Sequence, residues 1–369
     1  MRIALRELLR RPGRFVTVGS ALTVLVLLLL FLGGLLDGLY LNSTGAVRSL
    51  DADAIVFSDD ARQSFLRSDV PADVRAEVEA VDGVAEVGGL GVTLLGVRLE
   101  GEPVEESADA AIVGYQLSSG SLPEVPSPGT AWIDGELADQ GVGEGDTLLV
   151  GPAATPVEVI GVVEDTNYLQ QAGVWVHPDT WREVQAANRP DTVIAPDAFQ
   201  ALVVRTDADA DPAQVRAAID EATGMTESLS QSDTVAAIPG IEEQNATFTA
   251  VIGVTVFVTG LVVALFFALV TLERIGLYAV LKAVGASSAT LVAGVVLQAA
   301  VVAVGAFVLG GALTVGLERA IPQGVPLILQ PSRATSTFVA VAAAAVIGAL
   351  VSLRRIVRID PASAIGAGA

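Results

Sequence analysis

The chain has no cysteine. That excludes disulfides, thiolate nucleophiles and cysteine-ligated zinc. It has one histidine, His177, so His-based catalytic dyads and multi-His metal sites are nearly excluded too. Its 21 basic residues include a single lysine, Lys282. A phosphate-cradling loop, G-x-x-x-x-G-K-[ST], needs a lysine directly after a glycine. Lys282 follows Val280 and Leu281, so that motif is absent. Charged residues make up 17% of the chain, under the roughly 25% of an average soluble domain. The net charge of −21 leaves no basic footprint for nucleic acid.

What is present is oil: 52% hydrophobic residues and a mean hydropathy of +0.59. A chain is both this acidic and this apolar only when the two properties sit in different segments. Four apolar runs stand out, at 15–36, 248–270, 291–317 and 336–353. A helix of about 20 mostly apolar residues crosses roughly 30 Å of hydrocarbon. The first run is too long for a signal-peptide core and no small-residue cleavage site follows, so a retained anchor is expected. No ionisable residue falls within these runs, which disfavours a proton relay or ion-coupled transport. Run 291–317 carries Gln298, read as interhelical glue. Its Gly294, Gly305, Gly310, Gly311 and Gly316 are candidates for close helix packing, Ala306 and Gly310 forming a small-xxx-small pair.

Basic residues flank the runs unevenly. Arg2, Arg6, Arg10, Arg11 and Arg14 precede the first, Arg274 and Lys282 lie between the second and third, and Arg354, Arg355 and Arg358 follow the fourth. The positive-inside rule then puts both termini and the segment 271–290 in the cytoplasm, and 37–247 outside, with a short outer loop at 318–335. The expected division is a cytoplasmic amphipathic helix at 1–14, a first span at 15–36 and an outer domain at 37–247. Spans at 248–270, 291–317 and 336–353 follow, and a tail at 354–369 closes the chain.

The outer segment is long enough for a domain with its own core. Short apolar runs bounded by Gly, Pro and Asp predict strands at 54–57, 92–97, 110–114, 147–150, 157–163, 173–176 and 199–205. Helices are predicted at 72–81 and from Asp211, whose Asp-Pro-Ala-Gln sequence reads as a cap, a first-turn proline and a reciprocal Gln. Asp207, Asp209 and Asp211 superficially alternate like calcium ligands. They lack the turn glycine and distal Glu of such a loop, so a lead-in to the Asp211 cap is expected. Adjacent acids such as Asp59-Asp60, Glu105-Glu106, Glu164-Asp165 and Glu242-Glu243 read as solvated faces, and His177 as a loop residue. The first and second spans are expected to continue outward as stalks, and Gly45 and Pro239 are the places where either could break.

One segment carries function. Glu273-Arg274-Ile275-Gly276-Leu277-Tyr278-Ala279-Val280-Leu281-Lys282-Ala283-Val284-Gly285-Ala286-Ser287 lies between two spans. Ile275, Tyr278, Leu281 and Lys282 share one side of a helix that Gly285 is placed to end. A helix held between two spans is a lever. The E-R-I-G-x-x-x-x-L-K-A-V-G-A-S pattern, together with the one-plus-three span topology, resembles the MacB/FtsX-like permeases of ABC transporters. The tail from Arg354 to Ile365, with Asp360, Pro361 and Ala364, is similar to that family's closing motif, with Ile365 where Leu is usual. Asp134-Gly135-Glu136-Leu137-Ala138 with Gly143-Glu144-Gly145-Asp146 resembles part of its periplasmic core domain.

The resemblance implies four transmembrane helices plus a large extracytoplasmic α+β domain between the first and second. It implies a non-catalytic, homodimeric permease in a prokaryotic plasma membrane. ATP and Mg would be held by a separate ATP-binding subunit, with no cofactor in this chain. Glu273, Arg274, Ile275, Gly276, Tyr278, Leu281, Lys282 and Gly285 would form the coupling helix that docks there. It further implies mechanotransmission, with export or outer-leaflet extraction of a hydrophobic or amphipathic substrate such as haem, lipid, peptide or drug. Within the family, 158–165 with Tyr168 is most similar to the DevC-like and haem-exporter permeases. No ligand motif carries over; Tyr40, near the end of the first helix, is the one substrate candidate. Activation of a cell-wall hydrolase, lipoprotein release and an ATP-independent receptor are the alternatives.

Overall fold

The computed structural model describes residues 12–191, 194–195, 197–273, 276, 280–282, 284–321 and 325–357, with side chains from Val16 to Val351. The chain divides into two units, one comprising Met1–Gly38 and Gln244–Ala369, the other Leu39–Glu243.

The first unit is helical. Its long helices are α1 (Pro12–Arg48, which continues into the second unit), α7 (Ile241–Glu273), α8 (Ser288–Glu318) and α9 (Pro331–Val357). Each is long and apolar enough to cross a membrane. Their shared core is aliphatic, with Leu22, Val26, Val263, Phe267, Val302, Ala306, Val341 and Ala345 buried. Large apolar side chains such as Val254, Phe257, Leu265 and Leu269 point outward, which lipid tolerates and water does not. Buried hydroxyls turn back on their own helices. Thr23 donates to the Gly19 carbonyl, Thr259 to Thr255 and Thr314 to Gly310, each within 2.8 Å.

Glycine settles the helix packing. A Cβ on Gly310 would press on Val26 and the Thr23 carbonyl, so α8 meets α1 there. A Cβ on Gly348 would press on the Gly260 carbonyl, so α9 meets α7. Gly294, Gly305 and Gly316 have open space beside them and serve no close contact. Gln298 is buried. Beyond the apolar stretch of α1, Asp37 is buried against Arg333, with Nη2 to Oδ1 at 2.6 Å and Nε to Oδ2 at 3.1 Å. The Ile328 N–H also donates to the Gly34 carbonyl at 3.1 Å. Gly38 lies so close to the Pro326 carbonyl that no Cβ fits between them. A carboxylate beside hydrocarbon is expensive unless paired, and this one is paired and multiply bonded.

Among the described residues the second unit carries a mixed sheet of nine strands. In chain order these are β1 (Ala54–Ser58), β2 (Val84–Leu99), β3 (Ala108–Tyr115), β4 (Thr130–Asp134), β5 (Thr147–Val150), β6 (Thr155–Val163), β7 (Ala172–Val176), β8 (Ala201–Thr206) and β9 (Thr226–Leu229). They run in the order β3-β7-β4-β6-β5-β2-β8-β1-β9, and β3 also pairs with β2, closing six strands into a circuit. Among the described residues only β3–β7 and β4–β6 are parallel. The helices are α2 (Ala72–Glu79), α3 (Gly135–Asp139), α4 (Pro178–Asn188), α5 (Pro212–Thr223) and α6 (Gln231–Ala237).

Alternate residues of each strand feed different cores. Ala54, Val56, Ile112, Val174 and Val204 join a core with Val78, Trp181 and Ile219 from α2, α4 and α5. Ile55, Phe57, Val113, Trp175 and Val203 join another with Phe65, Tyr115 and the end of α1. With both faces covered, a strand reads as an unbroken apolar run.

The seven expected strands are all present, and β4 and β9 add to them. β2 begins eight residues earlier than expected, because Gly88, Gly89 and Gly91 mask it. Those glycines make room. Gly91 pairs with Gly114 across the strands. A side chain on either would strike Trp181, and one on Gly89 would strike Phe199. The two rings stack 6.3 Å apart, 8° from parallel, and the Trp181 Nε1–H donates to Thr93 at 2.9 Å.

His177 lies in the connection between β7 and α4, where its Nδ1 accepts the Asp179 N–H at 3.1 Å and caps α4 ahead of Pro178. Gly45 does not break a stalk, because α1 runs through it to Arg48, whereas Pro239 and Gly240 do separate α6 from α7.

Candidate functional site

Two places carry the chemistry. The first is the segment between α7 and α8. Its described residues Gly276, Val280, Leu281 and Lys282 are helical. The Ala286 N–H donates to the Leu281 carbonyl at 2.9 Å and the Gly285 N–H to the Lys282 carbonyl at 3.0 Å. This bond pair, with Gly285 at a φ of +104°, is a Schellman stop. Two residues later Ser287 accepts the Thr290 N–H and caps α8. One helix thus ends and the next begins without slack.

Leu281 packs against the core of the long helices. The strongly exposed side chains beside it are Val280 (58%) and Val284 (82%). Neither was among the expected docking residues: the segment is apolar along most of its length, so the sequence does not single these two out. Glu273 is exposed at the end of α7. Arg274, Ile275 and Tyr278 lie outside the described residues, as do Asp360, Pro361 and Ala364 of the tail.

The second place is the end of α1, which the β6–β7 loop grips. The Asn167 carbonyl accepts the Ala46 N–H at 2.9 Å, and the Leu169 and Gln170 N–H groups donate to the Ser43 and Asn42 carbonyls. Arg48 holds Asp165 in a two-pronged pair, Nη1 to Oδ2 at 2.7 Å and Nη2 to Oδ1. A Cβ on Gly45 would meet the Asp165 carbonyl at 2.5 Å, so this glycine exists for contact rather than flexibility. The loop accepts strain to make the grip: Asp165, Leu169 and Gln170 have φ of 57°, 52° and 63°, a region disfavoured for side-chain-bearing residues.

Gln231 completes the joint. Its Nε2 donates to the Val47 and Arg48 carbonyls, and its Oε1 accepts the Ala52 N–H at 3.0 Å. The orphan carbonyls at the α1 terminus are thereby satisfied from α6, the element just ahead of α7. Deeper in, the Asn167 amide donates to Glu136 at 2.7 Å. Burial pushes the Glu136 carboxyl above its ordinary range, and that hydrogen bond opposes the rise.

Asp165 had read as half of a solvated acidic pair, and the structure gives it a partner 117 residues away. The available signal was Arg48, a lone cation among acids after the first span. Beside this joint lies a cavity of about 550 Å³ walled in part by Tyr40, Arg48, Arg216 and Gln231. The Tyr40 ring sits 5.9 Å from the Arg48 guanidinium. Among the described residues no cluster of His, Cys, Asp or Glu is arranged for a metal. Asp211 caps α5 through the Ala213 N–H at 3.0 Å.

A bundle of four apolar helices bearing an α/β domain between the first and second is the architecture of a permease. Residues 249–361 match the FtsX-like permease C-terminal family and residues 17–222 the MacB-like periplasmic core domain. The chain belongs to the MacB/FtsX-like permeases and is an ABC transporter permease of that type. It is 27% identical over 372 residues to the uncharacterized ABC transporter permease Rv2563 of Mycobacterium tuberculosis, covering 98% of both chains. The uncharacterized permease Mb2592 of Mycobacterium bovis gives the same figures. Among solved structures, the periplasmic region of MacB from Actinobacillus actinomycetemcomitans is 14% identical with a TM-score of 0.36, covering 51% of this chain and 92% of that one. The extracellular domain of the transporter YknZ from Gram-positive bacteria is 15% identical with a TM-score of 0.33, covering 48% and 99%.

Proposed function

We propose that this chain is the non-catalytic half of an export machine. A separate ATP-binding subunit, holding ATP and Mg, docks on the cytoplasmic helix between α7 and α8 of each of two copies. Its cycle moves the long helices, and the outer domains extract a hydrophobic or amphipathic substrate from the outer leaflet. Both termini are cytoplasmic in this reading. The observation that carries it is the tight Schellman stop at Gly285 followed at once by the Ser287 cap. A partner gripping a helix so joined moves α8 with it. Glu273, Arg274, Ile275, Gly276, Tyr278, Leu281 and Lys282 form the docking element, and Val280 and Val284 add its exposed apolar surface.

Co-purification with a candidate ABC ATP-binding subunit tests this. The chain alone is expected to hydrolyse no ATP, and the pair to do so. Val284→Asp changes an exposed side chain and leaves the fold intact, yet is expected to lower association at least tenfold. Robust turnover by the chain alone, or unchanged association of Val284→Asp, sinks the proposal. Stimulation of the pair by a small amphiphile supports export, whereas stimulation only by a cell-wall hydrolase moves the chain to mechanical signalling.

A further inference from the structure

The outer unit is strongly acidic. Between residues 39 and 243 it holds nine arginines and no lysine against 37 acids. Two of those arginines, Arg48 and Arg216, nevertheless line one cavity of about 550 Å³, in the size range of small-molecule sites. The wall is two-faced. Tyr40, Pro212 and Val235 give it apolar surface, and Ser230 and Ser232 give it hydroxyls. Asp53 is the one carboxylate in the lining, and its Oδ2 is engaged by the Thr206 N–H and hydroxyl at 2.9 and 3.0 Å.

Donors there are unspent. Arg216 gives one N–H to the Asp53 carbonyl at 3.0 Å, and its other N–H groups have no hydrogen-bond partner among the described residues. The Tyr40 hydroxyl has none either. A guanidinium with a free edge suits an oxyanion, and an aromatic and aliphatic wall suits a chain. The cavity also touches α1 through Tyr40 and Arg48 and α6 through Gln231, and Arg48 and Gln231 belong to the joint as well.

We propose that this cavity binds the phosphate or carboxylate head of an anionic amphiphile, with Arg216 as the anchor and Tyr40 as a second donor. The proposal deepens the export reading and rests on it: it names the substrate class and the place where the substrate meets the helix ends. Arg48 contributes field more than bonds, because its own donors are committed to Asp165, Thr44 and Leu41.

The test uses the full chain in phosphatidylcholine nanodiscs, without the ATP-binding subunit, so its failure leaves the permease assignment standing. Dodecyl phosphate, dodecyltrimethylammonium and inorganic phosphate are titrated separately, and hydrogen exchange is read at 212–216 and 230–237. Dodecyl phosphate is expected to protect both segments saturably. Arg216→Gln is expected to raise the apparent Kd at least tenfold, and Tyr40→Phe, which removes only a hydroxyl, about threefold. A weaker effect from inorganic phosphate supports an amphiphile, and an equal effect overturns that part in favour of a free anion. Equal protection by the cationic surfactant, or a Kd unchanged in both variants, overturns the site.

Discussion

At the scale of single residues, glycine and aspartate do work that composition hides. Gly91 and Gly114 face each other so that Trp181 can lie across both strands, fully buried. Gly91→Val pushes a side chain into the indole with no void to take it up. Overpacking of this kind costs about 1–3 kcal/mol. The full chain in detergent is expected to unfold at lower denaturant, with faster exchange along β2 and α4. Unchanged exchange argues against this packing of Trp181 on Gly91. Asp211 gives a pH prediction. The Ala213 N–H, and then the Gln214 side chain, hold its carboxyl below the ordinary value. A depressed folded pKa stabilises above the unfolded value of about 3.9 and loses that support as pH falls through the folded value. Protection of α5 is therefore expected to hold from neutrality to about pH 4 and to decline below it. Asp211→Ala removes that acid-dependent step, and a step that persists in the variant refutes the cap as its source.

At the scale of elements, the joint at the end of α1 is the part that can be broken selectively. The Arg48–Asp165 pair is half exposed, so Coulomb energy is screened and each single loss is expected to cost about 1 kcal/mol. Arg48→Ala with Asp165→Ala tests it as a double-mutant cycle. The coupling energy is expected to be positive and salt-sensitive, and additive effects remove the pair from the joint. Gly310 and Gly305 offer a cleaner contrast. Gly310→Leu is expected to disrupt the contact of α8 with α1, while Gly305→Leu, which faces open space, is expected to leave thermal stability in detergent within a degree or two. The pattern of glycines was readable in the sequence, but which of them faces a neighbour was not. Periodicity is a property of one helix, and contact depends on two. The same limit explains β2 and α4. Glycines lowered the strand signal of 84–91, and α4 hid behind a histidine cap that composition does not flag. Strands with continuous Val, Ile and Ala were legible because both their faces are covered. Arg48, Asp165 and Gln231 were illegible as a set, being brought together only by the fold.

At the scale of the whole molecule, the charge of −21 describes neither side of the membrane. Under the proposed orientation, the cytoplasmic segments hold ten basic and three acidic residues and the outer segments eleven basic and 39 acidic. A basic inner face is what the positive-inside rule requires, and anionic headgroups reinforce it. The absence of cysteine makes this testable with single reporters in an otherwise unreactive chain. Ser119 and Ser287 are poor sites, since each hydroxyl accepts backbone N–H groups that hold a turn or a helix cap. Their exposed neighbours Ser127 and Ala289 carry no such duty. In intact cells, Ser127→Cys is expected to react with a membrane-impermeant maleimide. Ala289→Cys is expected to react only after the membrane is opened. The reverse pattern inverts the topology. It would also move the Gly285 stop, and any ATP-binding partner docked beside it, to the side of the membrane where no ATP is supplied.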